Sequence, residues 1–439
     1  MLTQADLDVK TLGPGSYDSP VHLTSGGEFA YVAEDARVLW KVQTSSAAAP
    51  PSGPPLTFER AGMRAKLFFD PAQTRAAILT TGGLCPGLNN VVRSMVLELH
   101  YRYCVKEIFG VRYGYEGLNP AVGLPMIRLG PAEVSFVHRL GGSFLGVSRG
   151  KQDVAVMADT LQRERIDILF VVGGDGTLRG AHALHEELTR RGARIGIVGV
   201  PKTIDNDVAF VDKTFGYDTA VELARLAVDT AHAEAIGARN GVGIVKLMGR
   251  ESGFVAAAAT LASEEVNFCL VPEVPFQLDG PQGLLAALEQ RLEARSHAVI
   301  VVAEGCGATL AGATAERDAS GNVRYASKDA DIGPRLRDAI VTHFKQRNRP
   351  ITVKYIDPSY MIRSVPANAS DSVFCNLLAR NAVHAGMAGR TDLVIGRLHR
   401  LFTHVPLTLA TRERKRIDPR GELWHSVIET TGQASFVSR

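Results

Sequence analysis

From Arg75 onward the chain repeats one pattern: a short apolar run, a glycine-rich turn, then apolar residues at helical spacing. Residues 76–79 lead through Thr80-Thr81-Gly82-Gly83 to a helix near Asn89 that carries Val92, Met95, Val96 and Leu99 on one face. Residues 168–172 lead through Gly173-Gly174-Asp175-Gly176-Thr177 to a helix with Leu178, Ala181, Leu184 and Leu188 inward. Residues 195–200 and 242–247 end alike, in Pro201-Lys202-Thr203-Ile204-Asp205-Asn206-Asp207 and Met248-Gly249-Arg250-Glu251-Ser252-Gly253. This alternation predicts parallel sheets covered by helices on both faces, a fold that binds ligands at the carboxyl ends of its strands.

Smaller features fill in the order. Thr219 with Glu222 reads as a capping box opening a helix, residues 297–303 and 352–356 as strands, and 334–346 as a helix. Residues 374–384 and 392–395 are expected to close the sheet, and 308–330 to form a loop. Before Arg75 there are only short alternating runs and a Pro/Ser/Ala linker at 45–55, so this stretch reads as an appendage.

Charge and composition exclude several functions. Lys plus Arg total 49 against 46 Asp plus Glu, and a net charge of +3 implies neither nucleic acid nor an anionic membrane as partner. No apolar run reaches the ~18 residues of a membrane span, and the first ten residues are polar and acidic rather than signal-like. Cys85, Cys104, Cys269, Cys306 and Cys375 are widely spaced, with no CxxC pair for zinc. The expectation is a cytoplasmic protein with reduced thiols.

The chemistry concentrates at 199–207. On an extended chain Asp205 and Asp207 would point the same way, and their repulsion calls for a metal or a bound substrate. A solvated turn whose aspartates bind their own backbone is the plainer alternative. Glycine turns entering helices present N–H groups to an anion, and Asp175 is a carboxylate where magnesium could bridge phosphates. Arg250 lies between glycines at a strand end and Glu304 closes another strand; an ion pair and a capped turn are their plainer readings.

Taken together and in order, GGDGT, PKTIDND, MGRESG, AEG and YIDPSYMIR resemble the 6-phosphofructokinase family over residues 75–400, most of all its long plant and trypanosomatid members. The resemblance implies two Rossmann-like three-layer α/β/α lobes with parallel sheets and an active site in the cleft between them. The lobes would be a nucleotide-binding one, 75–216 completed by about 362–415, and a sugar-phosphate-binding one, 217–361 completed by about 416–439, after an N-terminal extension at 1–74. It implies ATP and fructose 6-phosphate as substrates, magnesium as cofactor, and a homo-oligomer, dimer or tetramer.

Position by position, the resemblance makes Asp205 the base for the C1 hydroxyl, with Asp207 beside it and Thr203 on the transferring phosphoryl. Gly83, Gly174, Gly176, Thr177 and Gly180 would line the nucleotide site, with Asp175 on magnesium, Tyr115 packed on the nucleotide, and Arg149 spanning donor and acceptor. Met248, Gly249, Arg250 and Glu304 would hold the sugar, and Lys354, Tyr360 and Arg363 its phosphate, Lys354 from a neighbouring subunit. Tyr360 stands where short bacterial members have histidine, Lys354 replaces an arginine, and Gly241 stands where they have a second cross-subunit arginine. Lys202 is the residue type of pyrophosphate-using members, whereas Gly176, where those carry Asp, leaves room for an α-phosphate and favours ATP. A pyrophosphate-dependent enzyme and a catalytically silent sensor on the same fold are the rivals.

Overall fold

The computed structural model describes residues 2–22, 24–25, 28–43, 53–307, 316–317, 323–324, 331–434 and 436. The chain forms two compact units, one of Met1–Thr203, Val208–Gly216 and Val365–Arg414, the other of Ile204–Asp207, Tyr217–Ser364 and Lys415–Arg439. Among the described residues no helix is long and apolar enough to cross a membrane.

The first unit is built on a nine-stranded sheet. Its strands are β1 (Arg37–Leu39), β2 (Thr57–Arg60), β3 (Arg75–Thr80), β4 (Glu107–Val111), β5 (Ile127–Arg128), β6 (Ile168–Gly173), β7 (Gly196–Pro201), β12 (Leu393–Leu398) and β13 (Leu401–Pro406). In space the order is β5-β4-β3-β6-β7-β12-β13-β2-β1, parallel from β4 to β12 and antiparallel at both margins. Val172 pairs with Thr80 and Gly173 with Pro201, so the turns leaving β3, β6 and β7 stand side by side. Helices α1 (Leu88–Leu97), α2 (Val154–Arg163), α3 (Asp175–Arg190) and α9 (Ala369–Met387) belong to this unit. On α3 the apolar set at helical spacing, Leu178, Ala181, Leu184 and Leu188, is buried, at about 1.5–3 kcal/mol for each leucine.

The second unit has a parallel four-stranded sheet in the order β9-β10-β8-β11, from β8 (Gly241–Leu247), β9 (Phe268–Leu270), β10 (His297–Ala303) and β11 (Thr352–Ile356). Its helices are α4 (Tyr217–Ile236), α5 (Phe254–Ser263), α6 (Leu284–Arg295), α7 (Ile332–Gln346), α8 (Ser359–Arg363) and α10 (Glu422–Thr431). Helix α4 lies close against β8: a Cβ on Gly243 would come within 2.7 Å of the Ala231 carbonyl, so glycine is required there.

Several expectations are corrected. The stretch before Arg75 is no appendage: Arg60 pairs with Thr403 and brings β2 and β1 into the large sheet, while Leu7, Val38 and Phe58 enter its core. Residues 374–384 lie inside α9, which is packed closely enough on both sides to lose the amphipathic pattern that marks a helix. Helix α4 starts at Tyr217, so Thr219 lies within its first turn and not at the N-cap position. Most of the linker at 45–55 and of the loop at 308–330 lies outside the described residues; within the latter, Glu316–Arg317 pairs with Val323–Arg324.

Buried histidines give the first unit an acid limit. The hydroxyl of Tyr103 lies 2.7 Å from His384 Nδ1, and burial pushes the imidazole down to about 3. A folded pKa below the unfolded value of ~6.5 favours the neutral form, so stability is full above that pH and is lost as pH falls through it. Between pH 6.5 and 4.5 His384 should cost roughly 2–3 kcal/mol. The melting temperature of the wild type is expected to fall more steeply over that interval than that of His384→Gln; parallel curves would remove His384 as the cause.

Candidate functional site

In the first unit, the ends of β3, β6 and β7 build a receptor for negative charge. Gly82 takes a φ of +89°, its N–H donates to the Ser148 carbonyl at 3.0 Å, and a Cβ there would lie 3.3 Å from Lys202 Nζ. Lys202, buried at 6% exposure, donates from Nζ to the Gly83 carbonyl at 2.6 Å. Beside it α3 begins at Asp175 with Gly174 as its N-cap, so the first-turn N–H groups around Gly176 and Thr177 and the helix dipole add positive potential. Exposed Arg149 follows Ser148.

Asp175 Oδ2 lies 3.0 Å from Arg179 Nη2 and 3.6 Å from Arg414 Nη2, so two guanidinium groups hold it at the head of α3. A hard carboxylate beside a glycine turn and a helix N-terminus is a donor of the type magnesium takes, since that ion keeps several waters and needs few protein ligands. Tyr115 is 7% exposed; its hydroxyl donates to the Thr177 carbonyl at 2.7 Å, and a Cβ on Gly180 would come within 2.9 Å of its ring. Burial raises the pKa of that hydroxyl. Tyr115 thus supports the first turns of α3, while Tyr113, 41% exposed, is the accessible ring of the same turn.

Elsewhere in this unit His182, Glu186 and Asp392 lie close enough to share a metal. The Lys10 ammonium already occupies that charge, 2.8 Å from Glu186 and 3.0 Å from Asp392.

The chain passes from the first unit to the second between Thr203 and Ile204. Thr203 accepts from the Thr214 hydroxyl through its carbonyl at 2.7 Å. The expectation that Asp205 and Asp207 share a face of an extended chain is corrected: Asn206 has a φ of 54°, so the backbone bends between them and strand alternation does not apply. Asparagine tolerates that left-handed conformation better than most residues.

In the second unit two strand ends interlock. Gly249 takes a φ of +130°, where a Cβ would meet the Ser252 carbonyl at 2.2 Å, and its own carbonyl accepts from Gly305 N at 3.0 Å. This sets Arg250 against Glu304, with Nε 3.3 Å from Oε1. Met248 is half-buried at the same turn. Glu273, whose carboxyl is raised by burial, accepts from Gly253 N at 3.0 Å.

The Asp357-Pro358-Ser359 turn is held to β8. Lys246 Nζ donates to Asp331 at 3.0 Å and lies 2.8 Å from Asp357 Oδ2. Burial alone would lower this ammonium's pKa; the hydrogen bonds of Asp357 and Asp331 outweigh it and raise it. Asp357 in turn accepts from Ser359 N at the head of α8, where the Arg363 guanidinium stacks 4.7 Å from the centre of the Tyr360 ring. Tyr360 is 75% exposed. Lys354 on edge strand β11 pairs with Glu234 at 3.4 Å.

Sequence reasoning passed over Lys246, Glu273, Arg414 and Lys415. Lys246 had a signal, a charge inside an otherwise apolar strand; the other two basic residues belong to Arg412-Glu413-Arg414-Lys415-Arg416, which reads as solvated surface.

Residues 75–386 match the family described as Phosphofructokinase. A protein of Amycolatopsis methanolica named ATP-dependent 6-phosphofructokinase is 48% identical, over 98% of this chain and 95% of the relative. A Trypanosoma cruzi protein of the same name is 43% identical, over 98% of this chain and 88% of the relative. Among solved structures, a pyrophosphate-dependent phosphofructokinase from Marinobacter aquaeolei shares the fold with a TM-score of 0.66 at 18% identity, over 82% of this chain and 92% of that one. With a family match across most of its length and near-complete overlap with relatives at such identity, the chain belongs to the phosphofructokinase family.

Proposed function

We propose that the chain is an ATP-dependent 6-phosphofructokinase, moving the γ-phosphoryl of ATP to the C1 hydroxyl of D-fructose 6-phosphate to give fructose 1,6-bisphosphate and ADP. The observation that carries this is identity of 43% and 48% over 98% of the chain to relatives named for that activity. Phosphoryl transfer asks a protein for alignment and charge neutralisation more than for covalent chemistry.

The donor phosphates rest on the Gly83 turn and the N-terminus of α3, along Gly174, Gly176, Thr177 and Gly180, with Lys202 and Arg149 adding positive charge; the accessible ring for the nucleotide is Tyr113, while Tyr115 supports the first turns of α3. Asp175 would hold magnesium, which when bound neutralises phosphate charge and fixes the donor's geometry. On the acceptor side Asp205 takes the C1 proton, Asp207 orients the group, and Thr203 contacts the transferring phosphoryl. Arg250, set by Glu304, spreads the developing charge. Met248, Gly249 and Glu304 seat the sugar, and Arg363 with Tyr360 takes its 6-phosphate. Incubation with ATP, magnesium and fructose 6-phosphate should yield a new phosphoester on C1 by phosphorus NMR; ATP left intact would refute the reading.

A pyrophosphate donor is the second reading, favoured by the buried Lys202 ammonium, which could neutralise pyrophosphate as well as ATP.

The protein is further proposed to be a cytoplasmic homo-oligomer, dimer or tetramer. Lys354 lies half-exposed on edge strand β11, available to a neighbouring copy's sugar-phosphate. Losing one charge-assisted contact should raise the KM for fructose 6-phosphate of Lys354→Ala roughly tenfold or more, while the KM for ATP changes little. An active monomer by light scattering would contradict this.

A further inference from the structure

Between the proposed base and its companion carboxylate, Asn206 holds the left-handed backbone described above, with a φ of 54°. A rare conformation at a functional position persists when its surroundings hold it there. Asn206 and Asp207 are buried, at 6% and 7% exposure. Lys415 grips the bend twice: Nζ donates to Asn206 Oδ1 at 3.1 Å, and its backbone N–H donates to the Asp207 carbonyl at 2.9 Å. The ammonium also lies 5.1 Å from the centre of the Phe254 ring, which orients it. From the other side the Ser252 hydroxyl donates to the Asp205 carbonyl at 3.2 Å.

The same segment reaches the arginine turn. Ile417 N donates at 3.0 Å to Glu273 Oε1, the oxygen that also accepts from Gly253 N. Arg416 Nη2 lies 3.7 Å from the Glu251 carboxylate. Residues 415–417 therefore touch both the bend that carries Asp205 and the turn that carries Arg250.

We propose that Lys415 is a positioning residue for the phosphoryl transfer: it fixes the left-handed bend at Asn206 and thereby the direction of the Asp205 carboxylate. This rests on the function proposed above. A displaced base still binds substrate, so the loss falls on turnover and not on affinity.

The test compares wild type, Lys415→Met and Lys415→Arg with ATP and fructose 6-phosphate. Lys415→Met, which keeps the apolar stem and removes the ammonium, should lower kcat about 10- to 100-fold with both KM values within threefold, and Lys415→Arg should recover most of it. Asn206→Gly, which keeps the bend but loses the amide, should also lower kcat, and adding Lys415→Met to it should cost less than in the wild type. A folded Lys415→Met with kcat within threefold of wild type, or with raised KM and unchanged kcat, overturns the proposal. Should Lys415→Met fail to fold, Asn206→Gly decides, and wild-type kcat in that variant overturns it. An inactive wild type refutes the function and not the brace, because the loss would then precede any substitution.

Discussion

Asp205→Asn is expected to lower kcat by about 10²- to 10⁴-fold, the usual worth of a general base, with the KM for fructose 6-phosphate changed only a few-fold. The amide has the carboxylate's shape but cannot accept the C1 proton. The variant should keep the fold, because Ser252 grips the backbone carbonyl of Asp205 and Lys415 grips Asn206 and the Asp207 carbonyl. Circular dichroism and a melting curve would show that the backbone is retained. Turnover within tenfold of wild type would remove Asp205 from the role.

The second large effect concerns the donor. Gly176 lies in the first turn of α3, beside Asp175 and its two arginines. An aspartate there suits the helix dipole, so Gly176→Asp should fold. Its carboxylate would stand within a few ångströms of the ATP α-phosphate, and like charges ~4 Å apart repel by about 4 kcal/mol at an effective dielectric near 20, roughly a 10³-fold loss in ATP use. Pyrophosphate has no α-phosphate or nucleoside to collide with, and Lys202 can neutralise it. The variant should therefore keep or gain pyrophosphate-dependent activity while ATP use collapses. ATP turnover equal to wild type would show that Gly176 does not gate the donor.

The parallel sheet could be read from the chain because its strands are buried on both faces and each ends in a glycine turn: β3, β6, β7, β8 and β10 all begin and end within two residues of where the apolar runs place them. Their C-terminal ends carry most of the candidate site residues, so the places of those residues in the fold, though not their roles, were legible to the same degree. What was not legible depends on contacts distant in sequence. The pairing of Arg60 with Thr403 that draws β2 into the sheet leaves no local mark. Helix α9 is buried from Phe374 to Met387 on several faces, which hides the helical period; its length alone separates it from a strand. The bend at Asn206 reverses the inference from alternation, since one left-handed residue breaks the two-residue period on which it depends. Lys415 carries its role only because the segment after Arg414 returns to the 204–207 bend.

ATP as donor and fructose 6-phosphate as acceptor can be tested together. The direct measurement is the initial rate of fructose 1,6-bisphosphate formation by purified wild-type protein with magnesium and saturating fructose 6-phosphate, using ATP in one arm and pyrophosphate at equal concentration in the other. A rate with ATP at least tenfold above that with pyrophosphate is the expected result; a faster rate with pyrophosphate, or no bisphosphate with either donor, would contradict it.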